Sequence, residues 1–236
     1  PTQSILFNID IEGPLTKDKT AVLRVFAKMF YNHCGFYGDD LKIAKLERFI
    51  EKQGKTQQFR EAFEKVNGAP WTETRDSFAF FEDDIVSVLQ STLGMSEQAA
   101  RNWFNGEETN ELSIAQLVAD IQEYVDGKGK DFRLLFMVDE VGQYIGDDGD
   151  LMINLQSLVE EIGIRCHGKV WVMVTSQEAI DSVVHITGND FSKIQGRFNT
   201  RLSLSSSSVD EVIKKRVLAK TDAADQLLRM VYDKEH

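Results

Sequence analysis

Cysteine is almost absent from this chain. Cys34 and Cys166 are the only two among 236 residues, so no disulfide framework is implied and a reducing cytoplasm is the natural setting. Positive charge is also scarce: 27 Lys and Arg stand against 38 Asp and Glu, a formal net charge of -11. That balance argues against a general-purpose DNA or RNA clamp, which needs a clustered excess of cations. It gives no support for direct DNA binding and leaves docking on a basic partner open. No apolar run approaches the length of a membrane span. His33, His167, His185 and His236 are scattered without metal-ligand spacing, and Cys166-His167 has no second pair of ligands. A Gly-x-Ser-x-Gly elbow is missing as well. With 42% hydrophobic and 28% charged residues the composition is that of an ordinary globular protein, long enough for one large domain or one domain with an insertion.

The most informative stretch is Leu134 to Ile145, Leu-Leu-Phe-Met-Val-Asp-Glu-Val-Gly-Gln-Tyr-Ile. Five consecutive apolar residues predict a strand buried on both faces, as in the centre of a parallel sheet. Asp139 and Glu140 follow at its C-terminal end, where open α/β sheets bind ligands. This pattern reads as a Walker B element, in which the Asp holds Mg²⁺, often through water, and the Glu polarises the attacking water. The competing reading is a buried strand that simply ends in two solvated acids.

Elsewhere the pattern predicts a first strand over 4–9 and an amphipathic helix from Lys17 with Val22, Leu23, Val25, Phe26, Met29 and Phe30 on one face. Helices follow at about 40–52, 57–66, 74–93 and 96–103, and at 114–125 behind a Ser113 cap. Phe78, Phe80 and Phe81 read as helix packing rather than a stacking platform for bases. About a hundred residues thus separate two strands that a simple crossover would join with far fewer, so residues 17–126 are expected to be a helical insertion. Gly146 to Asp150 reads as a turn before a helix at about 151–162, since it lacks calcium-loop spacing. Lys169 to Val174 predicts a second buried strand, ending in Thr175, Ser176 and Gln177. Helices over 178–184 and 209–218, a short strand over 201–205 and a last helix from Asp222 complete the expectation.

The order of these pieces resembles the AAA+ and related P-loop ATPases: strand, Asp139-Glu140, helix, strand ending Thr175-Ser176-Gln177, then Gly196-Arg197-Phe198 before a short strand. More narrowly, the Walker B run and Gly-Lys-Val-Trp-Val-Met-Val-Thr-Ser-Gln-Glu look like the large P-loop ATPase of bacteriophage exclusion (BREX) defence systems. The specific part of the resemblance covers about residues 130–205. It implies a bacterial or archaeal cytoplasmic protein that binds ATP and Mg²⁺, forms homo-oligomers and acts with other BREX defence proteins. It further implies Thr175 or Ser176 as sensor 1, with Gln177 beside them, and Arg197 or Arg201 as an arginine finger acting across a subunit boundary. A guanidinium suits that task because it offers bidentate, charge-assisted bonds to phosphate; the alternative for either Arg is a surface salt bridge.

The sequence departs from that family in one respect. A P-loop, G-x-x-x-x-G-K-[ST], cradles the phosphates in every member, and here Gly54-Lys55-Thr56 has Phe49 where the first glycine should stand and a charged helix before it. The resemblance therefore implies a P-loop strand upstream of Pro1. The expected fold is an incomplete α/β sheet of the P-loop type, its core made of residues 1–16 and 127–208, with a helical segment beginning at 209–236. The expected sheet holds 4–9, 134–138, 169–174 and 201–205, or pairs with another molecule through its open edge. The expected function is ATP hydrolysis coupled to conformational change in an antiphage complex, with residues 1–236 inactive alone. The alternative is a non-catalytic scaffold or sensor that binds protein partners through the insertion.

Overall fold

The computed structural model describes residues 1–14, 16–105, 112–146, 148–176 and 220–235, with isolated positions at 198, 200, 202 and 213. The chain divides into two units, 1–197 and 198–236. In the first, the order is β1 (Thr2–Asn8), α1 (Ile9–Glu12), α2 (Ala21–His33), α3 (Leu41–Lys52), α4 (Thr56–Asn67), α5 (Trp71–Thr74) and a 3-10 turn (Arg75–Phe80). Then come α6 (Glu82–Leu93), α7 (Glu97–Asn105), α8 (Ile114–Gly127), β2 (Arg133–Asp139), α9 (Val141–Ile145), α10 (Gly149–Arg165) and β3 (Val170–Val174). In the second unit, α11 spans Asp222–Glu235.

The three strands form a parallel sheet in the order β1-β2-β3. Asn8 pairs with Asp139 and Val138 with Val174, so the three C-terminal ends lie on one edge. The protein is therefore mixed α/β with a small parallel sheet. Ile5, Phe7, Leu134, Phe136, Val138 and Val170 are buried on one face, against the layer made by α2, α8 and α10. Phe26 of α2 anchors this contact, with ring centres 5.5 Å from Phe7 and 5.3 Å from Phe136.

Burial on both faces, expected for Leu134 to Val138, does not hold. The strand alternates, with Leu135 and Met137 only half-buried, and Leu6, Trp171 and Met173 on the same side are half or more exposed. Among the described residues, the helices packed on the sheet lie on the face of Phe7 and Phe136. A continuous apolar run did not distinguish a strand covered once from one covered twice.

The helices that open and close the stretch between β1 and β2, α2 and α8, belong to the layer on the sheet. Those between them build a core of their own from Ile43, Leu46, Ile50, Phe59, Phe63, Trp71, Ile85, Val88 and Leu89. Trp71 sits edge-on to Phe59 and Phe63, at 5.3 and 5.0 Å, and its indole N–H donates to buried Glu47 at 2.7 Å. Asp120 of α8 joins the two parts: it accepts from Tyr31 of α2 at 2.7 Å and from Arg48 of α3. Burial with three partners, Gln116 being the third at 2.9 Å, is how a carboxylate is tolerated there.

The single helix expected over 74–93 is broken. Ser77 is non-helical and Phe81 ends the 3-10 turn, because Glu82, Asp83 and Asp84 favour a fresh helix N-terminus. Phe78 and Phe81 pack on the helical core, but Phe80 is exposed, so the aromatic trio is not one packing face. The first strand ends one residue earlier than expected, at Asn8, whose side chain starts α1. Ser113 and Asp148 cap their helices as their residue types suggest. Expectations for 178–205 and 209–218 lie, isolated positions apart, outside the described residues.

Candidate active site

Parallel pairing brings the ends of β1, β2 and β3 side by side, and each end carries a polar group. The ladder runs one residue past β3, since Thr175 N–H donates to Val138 O at 2.9 Å and Val141 N–H donates to Thr175 O at 3.0 Å. This fixes Thr175 beside the acidic pair. Its hydroxyl donates to Asp139 Oδ1 and accepts from the backbone N–H of Glu140 at 3.2 Å. Two of the residues read from the sequence, Asp139 and Thr175, are thus in direct contact.

Glu140 sits in the left-handed region, with φ 61°. For a residue with a Cβ this costs about 1–2 kcal/mol, and it turns the chain sharply from β2 into α9. The turn sends the Glu140 side chain towards β1, where Oε2 accepts from Asn8 Nδ2 at 2.6 Å. Asn8 Oδ1 meanwhile accepts from Asp10 N–H at 2.9 Å and Ile11 N–H at 3.2 Å, capping α1. The cap decides which way the amide faces: the oxygen must point at α1, so the nitrogen must point at Glu140.

Gly142, in the first turn of α9, is required by Ser176. A Cβ at 142 would lie 2.0 Å from Ser176 Oγ, which is itself buried without a hydrogen-bond partner among the described residues. Tyr144 of α9 is buried, and its hydroxyl also lacks a partner among the described residues. Burial, then the charges of Asp10 and Asp18, push its phenol above the ordinary range. Asp139 and Thr175 are exposed; Asn8, Glu140 and Ser176 are half-buried. Among the described residues this edge is open to a solute and to water, and it presents two carboxylates, the Thr175 hydroxyl and an amide together.

Gln177, Arg197 and Arg201 lie outside the described residues. Gly54 and Lys55 join α3 to α4 within the helical core region. A cleft of about 730 Å³ beside α1 and α2 is walled by Glu12, Arg24, Lys28 and Asp39 and does not include Asp139 or Glu140. Its cations are engaged, Arg24 with Asp18 and Lys28 with both Glu12 and Asp39.

Asn8, Gly142, Tyr144 and Lys17 are the site residues that sequence reasoning missed. A signal for the first existed: Asn two residues before Asp at a strand end is an N-cap pattern. The other three depend on contacts between distant segments. Among the described residues no group of three or more His, Cys, Asp or Glu gathers to hold a metal, and no helix is long and apolar enough to cross a membrane. No family model matches the sequence, and no solved structure matches the fold.

Proposed function

We propose that residues 1–236 belong to an ATP-hydrolysing protein of the P-loop, AAA+-like type, acting in an oligomeric antiphage complex of the BREX kind. The observation that carries this reading is the juxtaposition of Asp139, Glu140 and Thr175 at one edge of a parallel sheet. It is supported by strand order, since the strand bearing Asp139-Glu140 lies directly beside the one that leads into Thr175-Ser176.

In this reading Asp139 and the Thr175 hydroxyl face the Mg²⁺ of Mg·ATP. Hard oxygen donors fit that ion, which is usually held by one or two carboxylates plus water and substrate phosphates rather than by a protein cage. The ion would neutralise phosphate charge. Glu140 accepts a proton from the attacking water once its bond to Asn8 is exchanged for one to that water. Thr175 and Ser176 report on the γ-phosphate, with Gln177 beside them, and Arg197 and Arg201 act across a subunit boundary. The reading needs a phosphate-binding loop that residues 1–236 do not contain, so the test uses the natural gene product that carries them.

Nucleotide retention by E140Q and D139N is that test. E140Q should hold ATP unhydrolysed, and D139N should lose the tightening of ATP binding that Mg²⁺ brings. If neither variant changes what nucleotide is bound or its Mg²⁺ dependence, the reading fails. That outcome would favour a non-catalytic scaffold of the same fold, binding partners through the α3–α7 helices. The separate apolar core built by those helices is the observation on its side.

A further inference from the structure

Asn8 and Glu140 are the N-cap residues of two short helices, α1 and α9, and their side chains meet at 2.6 Å. The far ends of the same helices are also joined. Gly13, after α1, lies so close to Tyr144 of α9 that a Cβ there would stand 2.6 Å from the ring. Lys17 closes this second join. Its Nζ donates to Tyr144 O at 2.9 Å, lies 4.0 Å from the centre of the Tyr144 ring, and stands 3.7 Å from Asp10 Oδ1 in α1.

We infer that Lys17 is a positioning residue for Glu140: by tying the last turn of α9 to α1, its ammonium keeps the Glu140 carboxylate at Asn8. The need for such a tie follows from length. α9 has five residues, too few to hold a helix by its own cooperativity, and Tyr144 O is one of the carbonyls that a helix end leaves without an internal partner. A cation there satisfies the carbonyl and suits the negative end of the helix. Glu140, which starts α9, holds a left-handed conformation that persists only where the surroundings enforce it. Releasing the C-terminal end of so short a helix frees its first residue as well. The catalytic consequence rests on the reading of Glu140 given above; the positional claim does not.

The test follows the Asn8 side-chain amide by ¹⁵N NMR in residues 1–236, its signals identified by their loss in N8A. In K17M the stem can still cover Tyr144 but the donor is gone. The Asn8 signals should move, and their hydrogen exchange should speed up on the order of ten-fold. K17R, which can donate to the same carbonyl, should stay close to wild type. K169M removes a comparable pair with Asp126, 2.7 Å apart at the opposite edge of the sheet, and should leave Asn8 unmoved. Unchanged Asn8 signals in K17M, or equal changes in K17M and K169M, would overturn the inference. In the natural gene product K17M should lower kcat for ATP with KM kept. Unaltered turnover in E140Q would defeat the hydrolase reading while leaving the Asn8 result intact.

Discussion

The hydroxyl of Thr175 donates to the carboxylate of Asp139 across the ends of two neighbouring strands. The same oxygen receives the Glu140 N–H, so one side chain just past β3 fixes both members of the acidic pair. T175V keeps the shape and removes both bonds. Because the site is open, water replaces much of what is lost, and the stability cost should be only about 0.5–1 kcal/mol. Turnover should fall by about ten-fold or more, since the geometry of the acidic pair is what changes. Urea unfolding and a rate assay on the same variant separate the two effects.

Asn8 is held between an acceptor and two donors, and aspartate can satisfy only one side. In N8D the cap of α1 survives, but a carboxylate faces Glu140 where an amide nitrogen stood at 2.6 Å. Two acids that close raise each other's affinity for a proton. A raised folded-state value contributes instability as pH rises through the carboxylate range, so N8D should lose about 1–2 kcal/mol at pH 7 and recover much of it near pH 4. Equal losses at the two pH values would contradict the contact.

Gly142 and Ser176 form a pair that a double-mutant cycle can isolate. G142A places a Cβ 2.0 Å from Ser176 Oγ, and the resulting rearrangement should cost about 1–2 kcal/mol. S176A deletes a buried hydroxyl that has no partner among the described residues, so alone it should be neutral or slightly stabilising. Together they should recover most of the loss, giving a clear coupling energy in thermal unfolding.

High pH should unfold the protein through its buried and half-buried neutral acids. Burial, with the charge of Glu51 next, pushes the Cys34 thiol from 9.0 up to about 12. Burial, then Asp126, pushes the Cys166 thiol to about 11, and burial with Asp120 raises the Tyr31 phenol far above its ordinary value. In each case the unfolded form ionises first. Stability is therefore intact below about pH 9 and is lost as pH rises through the folded-state values. Both thiols should also react slowly with a disulfide reagent at pH 8 until the protein is denatured.

The parallel strands, the acids at the end of β2 and most helix boundaries were legible because each rests on local chemistry. Ser113 announces a helix start, and Val22 to Phe30 announces a packed face. The break at Phe81 was hidden by an apolar pattern that runs through it, and the acids at 82–84 were the overlooked sign. One-sided burial of the sheet was not legible, since which face the helices cover is decided by packing among α2, α8 and α10. At the site, Asp139 and Glu140 could be read from one segment. Their ties to Asn8 and Thr175, and that of Lys17 to Tyr144, span separations of 35 to 132 residues, beyond any local pattern.

ATP turnover by the natural gene product, wild type beside E140Q, bears most directly on the assignment of this edge as a hydrolytic site. Removing the group that accepts the water's proton should lower turnover at least ~100-fold while nucleotide remains bound. Equal rates in the two proteins, or negligible rates in both, would contradict it.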